Sequence, residues 1–381
     1  MSRTLFLLLT FSPFALQTPV LGKQTSYDEN DARSLLNLAA AAYGTEHQGC
    51  LNKTFASFEA HQILMKITKN CDQLDIVSPY LRKLYIVFRG TKTKSQLLLE
   101  GWDSLQPGVD FFDMGMVNRY FFNAHLTLWP EIEQVLVDPQ YKGYSVDFTG
   151  HSLGGALASL AAARTVKQGY RQGNLIKMIT FGQPRVGSLQ YAKSFDGAIT
   201  NAYRVVFRRD IVPHLPACKK NQSYVAEFEG GSVPCDENDN QHAYHHSTEI
   251  WYPDSMDHGS YYMECLGNPK NEDFSCSDKL KFYYDQTSSY VWDHRHYFGV
   301  KVPSYGKEGC NEDLKEGKPG VFESVLCWFM DSPSCEDHIE DENLDKQPVV
   351  PFEIVNRTMP VSSSAVKKIL LATSVVISLL F

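Results

Sequence analysis

Apolar and polar positions change rhythm sharply near the middle of the chain. Val146 and Phe148 alternate with polar neighbours before Thr149 and Gly150, the period of two expected of a strand entering a core. Beyond the next few residues Ala156, Leu157, Leu160, Ala161 and Val166 recur at helical spacing as far as the breaker Gly169. Strand and helix are thus separated only by a tight turn that carries Ser152 in the pattern G-x-S-x-G. Gly150 and Gly154 leave room for such a turn, and the serine hydroxyl is left proud of the sheet edge. A serine at a helix start also feels the positive end of the peptide dipoles, which favours negative charge developing beside it. An ordinary glycine-rich turn is the alternative, and the flanking strand and helix argue against it.

Serine is a poor nucleophile unless a base removes its proton and a third group orients that base. In a strand–turn–helix setting these partners are expected downstream in the order Ser, Asp or Glu, His, which removes His47, His61 and His125. Asn201 to Phe207 reads as a strand, and Asp210 follows at its carboxyl end, the edge where open α/β sheets place their sites. The alternative for Asp210 is a surface pair with Arg208 or Arg209. Asp236, Asp239, Asp254 and Asp257 sit in polar, loop-like sequence. Among the later histidines, His242, His245, His246 and Glu249 suggest a metal, but the helical zinc spacing is absent. The segment Asp293-His294-Arg295-His296-Tyr297-Phe298-Gly299 is the better source of the base, with His294 and His296 both open.

Composition places this chemistry outside the reducing cytosol. The chain has 381 residues, is 43% hydrophobic, and carries a net charge of −8, so it forms one large core easily and has no basic footprint for nucleic acid. Arg3, an apolar stretch from Leu5 to Leu16 broken at Pro13, and small residues near Gly22 predict a cleaved secretory leader over residues 1–22. Nine cysteines then imply disulfides with one thiol left over. Cys50 with Cys71, Cys218 with Cys235, and Cys265 with Cys276 are the short-loop candidates. Asn52, Asn221 and Asn356 are glycosylation acceptors of the N-x-S/T type. Glu336 to Asp345 is acidic and linker-like, and Ile369 to Phe381 is too short for an ordinary spanning helix. Ser362, Ser363 and Ser364 before that tail predict a removed lipid-anchor (GPI) signal, the alternative being a plain hydrophobic end.

Between Asp31 and Gly299 an ordered set of motifs resembles the fungal-type, or class three, triacylglycerol lipases. Leu35 to Tyr43 is similar to the family's first helix, Ile86-Val87-Phe88-Arg89-Gly90-Thr91 to its oxyanion strand, and Phe148 to Ala162 to its nucleophile elbow. Ile179 to Gly187, Asp210 to Pro216 and the H-x-x-Y-F-G run from His294 follow in the family's order. The resemblance implies a catalytic triad of Ser152, Asp210 and His294, with His296 facing away and His245 packing the site. It also implies an oxyanion hole from the backbone N–H groups of Leu153 and Thr91. A lid is expected over Lys94 to Leu105, with Leu97, Leu98, Leu99 and Trp102 on its apolar side; a buried core segment is the alternative. The family's usual Trp falls three residues later here, so this lid departs from the pattern. Phe111, Phe112, Met114 and Met116 are candidates for the acyl site or for plain core.

The expected fold is α/β, an α/β-hydrolase with a mainly parallel central sheet flanked by helices, plus a cysteine-containing C-terminal extension. The expected segments are a leader (1–22), a catalytic domain (23–300), the extension (301–335), an acidic and polar linker (336–364) and a hydrophobic tail (365–381). The expected function is a secreted or surface-anchored serine ester hydrolase of lipid catabolism, acting on acylglycerols through an acyl-enzyme, with no cofactor and no metal. Its partners are lipid or other ester substrates and a lipid–water interface. A phospholipase or small-ester esterase is the alternative within enzymes, and a silent lipid-binding protein the alternative outside them.

Overall fold

The computed structural model describes residues 24–57, 59–68, 72–91, 108–224, 232–267, 269–283 and 286–311. Residues 1–22, Leu97, Leu98, Leu99, Trp102, Cys71, Cys327, Cys335, Asn356, the linker and the tail lie outside them. In chain order the strands are β1 (Gln62–Thr68), β2 (Asp72–Ser78), β3 (Lys83–Phe88), the short β4 (Val109–Asp110) and β5 (Met116–Val117), β6 (Ser145–His151), β7 (Ile176–Phe181), β8 (Ala202–Phe207), β9 (Thr248–Tyr252), β10 (Met263–Cys265), β11 (His296–Tyr297) and β12 (Val300–Lys301). The helices are α1 (Glu29–Ala41), α2 (Gln48–Thr54), α3 (Arg119–Val137), α4 (Leu153–Lys167), α5 (Leu189–Ala198), α6 (Thr287–Arg295) and α7 (Val302–Lys307).

One eight-stranded sheet runs in the order β1-β2-β3-β6-β7-β8-β9-β10. Its centre, β3-β6-β7-β8-β9, is parallel, and the pairs at its margins, β1-β2, β2-β3 and β9-β10, are antiparallel. Parallel strands need crossovers, and helices supplying them cover both faces. Alternate residues of each strand therefore enter different cores. Ile86, Phe88, Val146 and Phe148 join the core beneath α3 and α4 with Leu128, Leu157 and Leu160. Tyr85, Val87, Ile179 and Phe181 join the opposite core with Leu35, Ala39, Tyr297 and Val302 of the chain's two ends. The predicted strand at 201–207 appears as β8, buried along its whole length.

Three disulfides lie among the described residues. Cys218–Cys235 and Cys265–Cys276 join the predicted neighbours. The expected pairing of Cys50 with Cys71 is wrong: Cys50 bonds Cys310, 260 residues away. The reason lies in backbone packing between the ends of the domain. A Cβ on Gly44 would fall 2.3 Å from the Gly306 carbonyl oxygen, and one on Gly49 would fall 2.1 Å from that of Gly309. The start of the 301–335 extension is thereby pressed against α1 and α2, and Cys50 points at it.

One buried histidine gives the core a dependence on pH. His125 of α3 is fully buried, its ring lying 5.6 Å from Phe111 and 5.3 Å from Trp129. Neither ring nitrogen has a hydrogen-bond partner. Burial, with the nearby Arg164 charge, lowers its pKa to about 3. Folding therefore excludes a proton that the unfolded chain binds below about pH 6.5, so this group's stability contribution is complete above that pH and is lost toward pH 3. Asp75, raised to about 7 by burial, titrates with the opposite sign, so the informative quantity is a difference between proteins. His125→Leu is expected to flatten the acid loss, its stability relative to wild type rising by about 1.4 kcal/mol per pH unit as pH falls from 6 to 4. Urea unfolding of both proteins across that range measures it, and parallel pH profiles would refute it.

Candidate active site

β6 delivers the chain into the turn, and its geometry is set by what cannot fit. Ser152 takes φ 59° and ψ −130°, a conformation that side-chain-bearing residues rarely adopt and that costs about 1–3 kcal/mol. A Cβ on Gly150 would lie 2.3 Å from the Gly154 carbonyl carbon, and one on Gly154 would lie 2.2 Å from the Phe88 oxygen. Strand, helix and neighbouring strand thus meet backbone to backbone. The Ser152 N–H donates to Phe181 O at 2.9 Å, and its carbonyl accepts the Gly155 N–H at 2.9 Å. Its side chain makes no capping bond to α4, although it stands at that helix's start.

The turn after β8 brings Asp210 to the same sheet edge, fully buried. The end of α6 brings His294, whose Nδ1 lies 3.0 and 2.9 Å from the two Asp210 carboxylate oxygens. Two further donors hold the carboxylate: the Val212 N–H at 2.9 Å and the Tyr297 hydroxyl at 2.6 Å. Burial first, and then the Asp210 charge, raise the Tyr297 pKa well above its ordinary value, so the phenol keeps the proton it donates. Gly182, at φ 56°, lies directly below the pair. A Cβ there would come within 2.6 Å of Asp210 Oδ2 and 2.8 Å of His294 Nδ1. With Nδ1–H committed to the carboxylate, Nε2 carries the lone pair, the tautomer that can accept a proton.

Ser152 and His294 are both nearly buried, so water reaches them little among the described residues. His151 stacks on His294 with ring centroids 4.7 Å apart, and its Nε2–H donates to the His294 carbonyl at 2.8 Å. Gly90 closes the other side: its missing Cβ would stand 3.1 Å from Ser152 Cβ. Thr91 follows Gly90 directly in the chain, and Leu153 opens α4 with a first-turn N–H that has no partner within the helix. Arg89, buried and salt-bridged to Asp72, donates from Nε to the Gly90 carbonyl at 3.1 Å.

The other candidates have different partners. His296 lies flat on Trp292 at 3.9 Å and donates from Nδ1 to the Trp292 carbonyl. His242 is bonded to Asp239 at the surface, His245 to the Pro213 carbonyl, and His246 to Ser247 and Gln183, so the three do not converge. Arg185 fixes the segment after Asp210: its N–H donates to Leu215 O, while Nε and Nη2 grip Glu272 at 2.7 and 2.8 Å. Phe111 and Met114 belong to the core, whereas Met116 is 40% exposed. Tyr297, His151, Tyr43 and Gly182 were not among the candidates. The first two adjoin His294 and Ser152 in sequence, but nothing local marks Tyr43.

Two glycine substitutions test the packing at the elbow. Gly154→Ala places its methyl against the Phe88 carbonyl and is expected to lower thermal stability by several degrees. Gly197→Ala, in α5 with nothing within 4 Å, is expected to be neutral or stabilising by up to about 1 kcal/mol. Calorimetry of the two variants decides, and equal melting temperatures would remove the steric account.

The model of the family described as Lipase (class 3) matches residues 85–220. A Caenorhabditis elegans protein named as a lipase is 44% identical over 330 residues, covering 84% of this chain and 93% of its own length. A Rhizomucor miehei lipase is 34% identical over 143 residues, 35% of this chain and 38% of that one. Among solved structures, Rhizomucor miehei triacylglyceride lipase superposes with a TM-score of 0.57 at 23% identity, over 75% of this chain and 98% of that one. Lipase II from Rhizopus niveus superposes with a TM-score of 0.52 at 21% identity, over 74% and 97%.

Proposed function

This chain belongs to the class 3 lipases and is a carboxylic ester hydrolase, and from that premise we propose that Ser152 is its nucleophile, His294 its general base and acid, and Asp210 the orienting carboxylate. The observation that carries the assignment is the buried His294–Asp210 pair, with His294 stacked on His151, the neighbour of a strained Ser152. Ser152 Oγ attacks the ester carbonyl carbon while Nε2 of His294 takes the hydroxyl proton. The tetrahedral oxyanion is bound by the N–H groups of Leu153 and Thr91, each such donor contributing on the order of 100-fold to 1,000-fold in rate. The carbon–oxygen bond to the alcohol breaks as His294 returns the proton, leaving an acyl-serine. Water, deprotonated by the same imidazole, releases the acid and restores the hydroxyl. Asp210 stays ionised throughout and stabilises the imidazolium.

Acylglycerols are the substrate class favoured. Support comes from a solved triacylglycerol lipase of this fold whose catalytic centre is a serine protease triad. A fungal lipase–inhibitor complex that models interfacial activation supports a lipid–water interface as the working surface. A second reading, phospholipid hydrolysis, is favoured by rice phospholipase A1-II 1, 36% identical over 117 residues. Ser152→Ala is expected to lower turnover by roughly 10⁶-fold. Triacylglycerol emulsion, phosphatidylcholine vesicles and a soluble butyrate ester, given to wild type and variant, sort the readings. Equal rates for the two proteins on every substrate would refute the serine mechanism.

The enzyme works outside the cytosol, a reading supported by three disulfides and by acceptors Asn52, exposed on α2, and Asn221, whose Oδ1 accepts the Ser223 N–H at 3.0 Å. The sequences of the leader and the C-terminal tail support export followed by lipid anchoring at the cell surface. Digestion of the protein from culture medium or cell surface with an N-glycosidase is expected to lower its apparent mass, and Asn52→Gln with Asn221→Gln to remove most of that shift. An intracellular, undigestible product would overturn the compartment.

A further inference from the structure

The end of the oxyanion strand and the catalytic histidine lie far apart in the chain, yet one run of packed and hydrogen-bonded groups joins them. Tyr43 follows α1 and is buried. Its hydroxyl oxygen is packed against Gly90 and stands 2.9 Å from His151 Nδ1. Gly90 permits this approach because a Cβ there would collide with the hydroxyl at 2.2 Å. His151 Nε2 lies 2.8 Å from the His294 carbonyl, which only accepts, so Nε2 carries the hydrogen and Nδ1 is bare. Both directions then follow: Tyr43 O–H donates to His151 Nδ1, and His151 Nε2–H to the carbonyl of His294.

We propose that Tyr43 and His151 are positioning residues for ester hydrolysis, holding the oxyanion donor at Thr91 and the base His294 in one rigid frame. The inference rests on the triad reading above. On the oxyanion side, the Gly90 carbonyl is pinned by Arg89 Nε, and the Gly90 backbone is packed against the Tyr43 hydroxyl. In a planar trans peptide C=O and N–H point opposite ways, so a pinned Gly90 carbonyl fixes the direction of the Thr91 N–H. On the base side, His151 holds the His294 backbone and also stacks on its ring at an interplanar angle of 27°. The imidazolium that forms on His294 during reaction is a cation against the face of a neutral aromatic ring, an attractive arrangement. The frame requires His151 to stay neutral, and burial together with its cationic neighbours holds its pKa well below the ordinary value. Misplacing a reacting group by about 1 Å costs on the order of 100-fold, so a frame joining the two halves of the site bears directly on rate.

The test compares Tyr43→Phe, His151→Leu and His151→Gln with wild type and Ser152→Ala on a soluble butyrate ester. Turnover is expressed per site labelled to completion by a fluorophosphonate, which removes any loss of folded enzyme, and for Ser152→Ala, which has no such site, per mole of folded protein. Tyr43→Phe is expected to lower kcat about 10-fold to 100-fold with KM within about twofold. His151→Leu is expected to lower the acid-limb pKa of kcat/KM by about half a unit, through loss of the ring facing the imidazolium. His151→Gln, whose amide offers an oxygen toward Tyr43 and an N–H toward the His294 carbonyl, is expected to recover most of kcat. If Tyr43→Phe and His151→Leu turn over within twofold of wild type per labelled site with an unmoved acid limb, while Ser152→Ala is dead, the frame is refuted and the triad stands. Full turnover by Ser152→Ala would refute the triad and the frame together.

Discussion

Ser152 keeps an unfavourable backbone conformation because β6 and α4 are wedged against β3 with no side chains between them. The contact of Gly154 with the Phe88 carbonyl is what stops the turn from relaxing. The same approach sets Gly90, just beyond β3, against the serine side chain, so strain at Ser152 and proximity of the Gly90 segment have one cause. The turn at Ser152 and the segment after β3 are therefore parts of a single packing solution, and loosening one displaces the other.

Around that wedge the site is assembled from buried polar groups rather than from regular structure. Asp210 is held by His294, Tyr297 and the Val212 N–H, the following turn by Arg185 and Glu272, and the Gly90 carbonyl by Arg89. Buried charges are tolerated only when paired and hydrogen-bonded, and each of these is. Such bonds are directional, so they position loops more sharply than apolar contact does. The apolar cores on the two sheet faces supply the stability that lets this polar layer persist.

Much of this was legible in the residues, to a degree that depended on range. The elbow was readable because strand, turn and helix are contiguous from Ser145 to Lys167, and Asp210 because it directly follows a strand. His294 needed the family pattern, since histidines cluster late in the chain and nothing local separates His294 from His296. The partner of Cys50 was misread because a short loop is the cheaper closure to imagine, whereas the pairing is decided by glycine-to-glycine packing between the ends of the domain. Tyr43 was invisible for the same reason: its partner His151 is 108 residues away, and no periodicity reports such a contact.

The Cys50–Cys310 bond also decides how the folded part of the chain carries load. Tension arriving from the segment beyond residue 311 meets Cys310 and crosses the sulfur bridge to α2, so it does not pass through the strands between them. Force applied along that path is borne by covalent bonds near the two ends of the domain. Ser152, Asp210 and His294 all fall inside the bridged loop, shielded from a pull that would otherwise unzip α7, β12 and β11 toward His294.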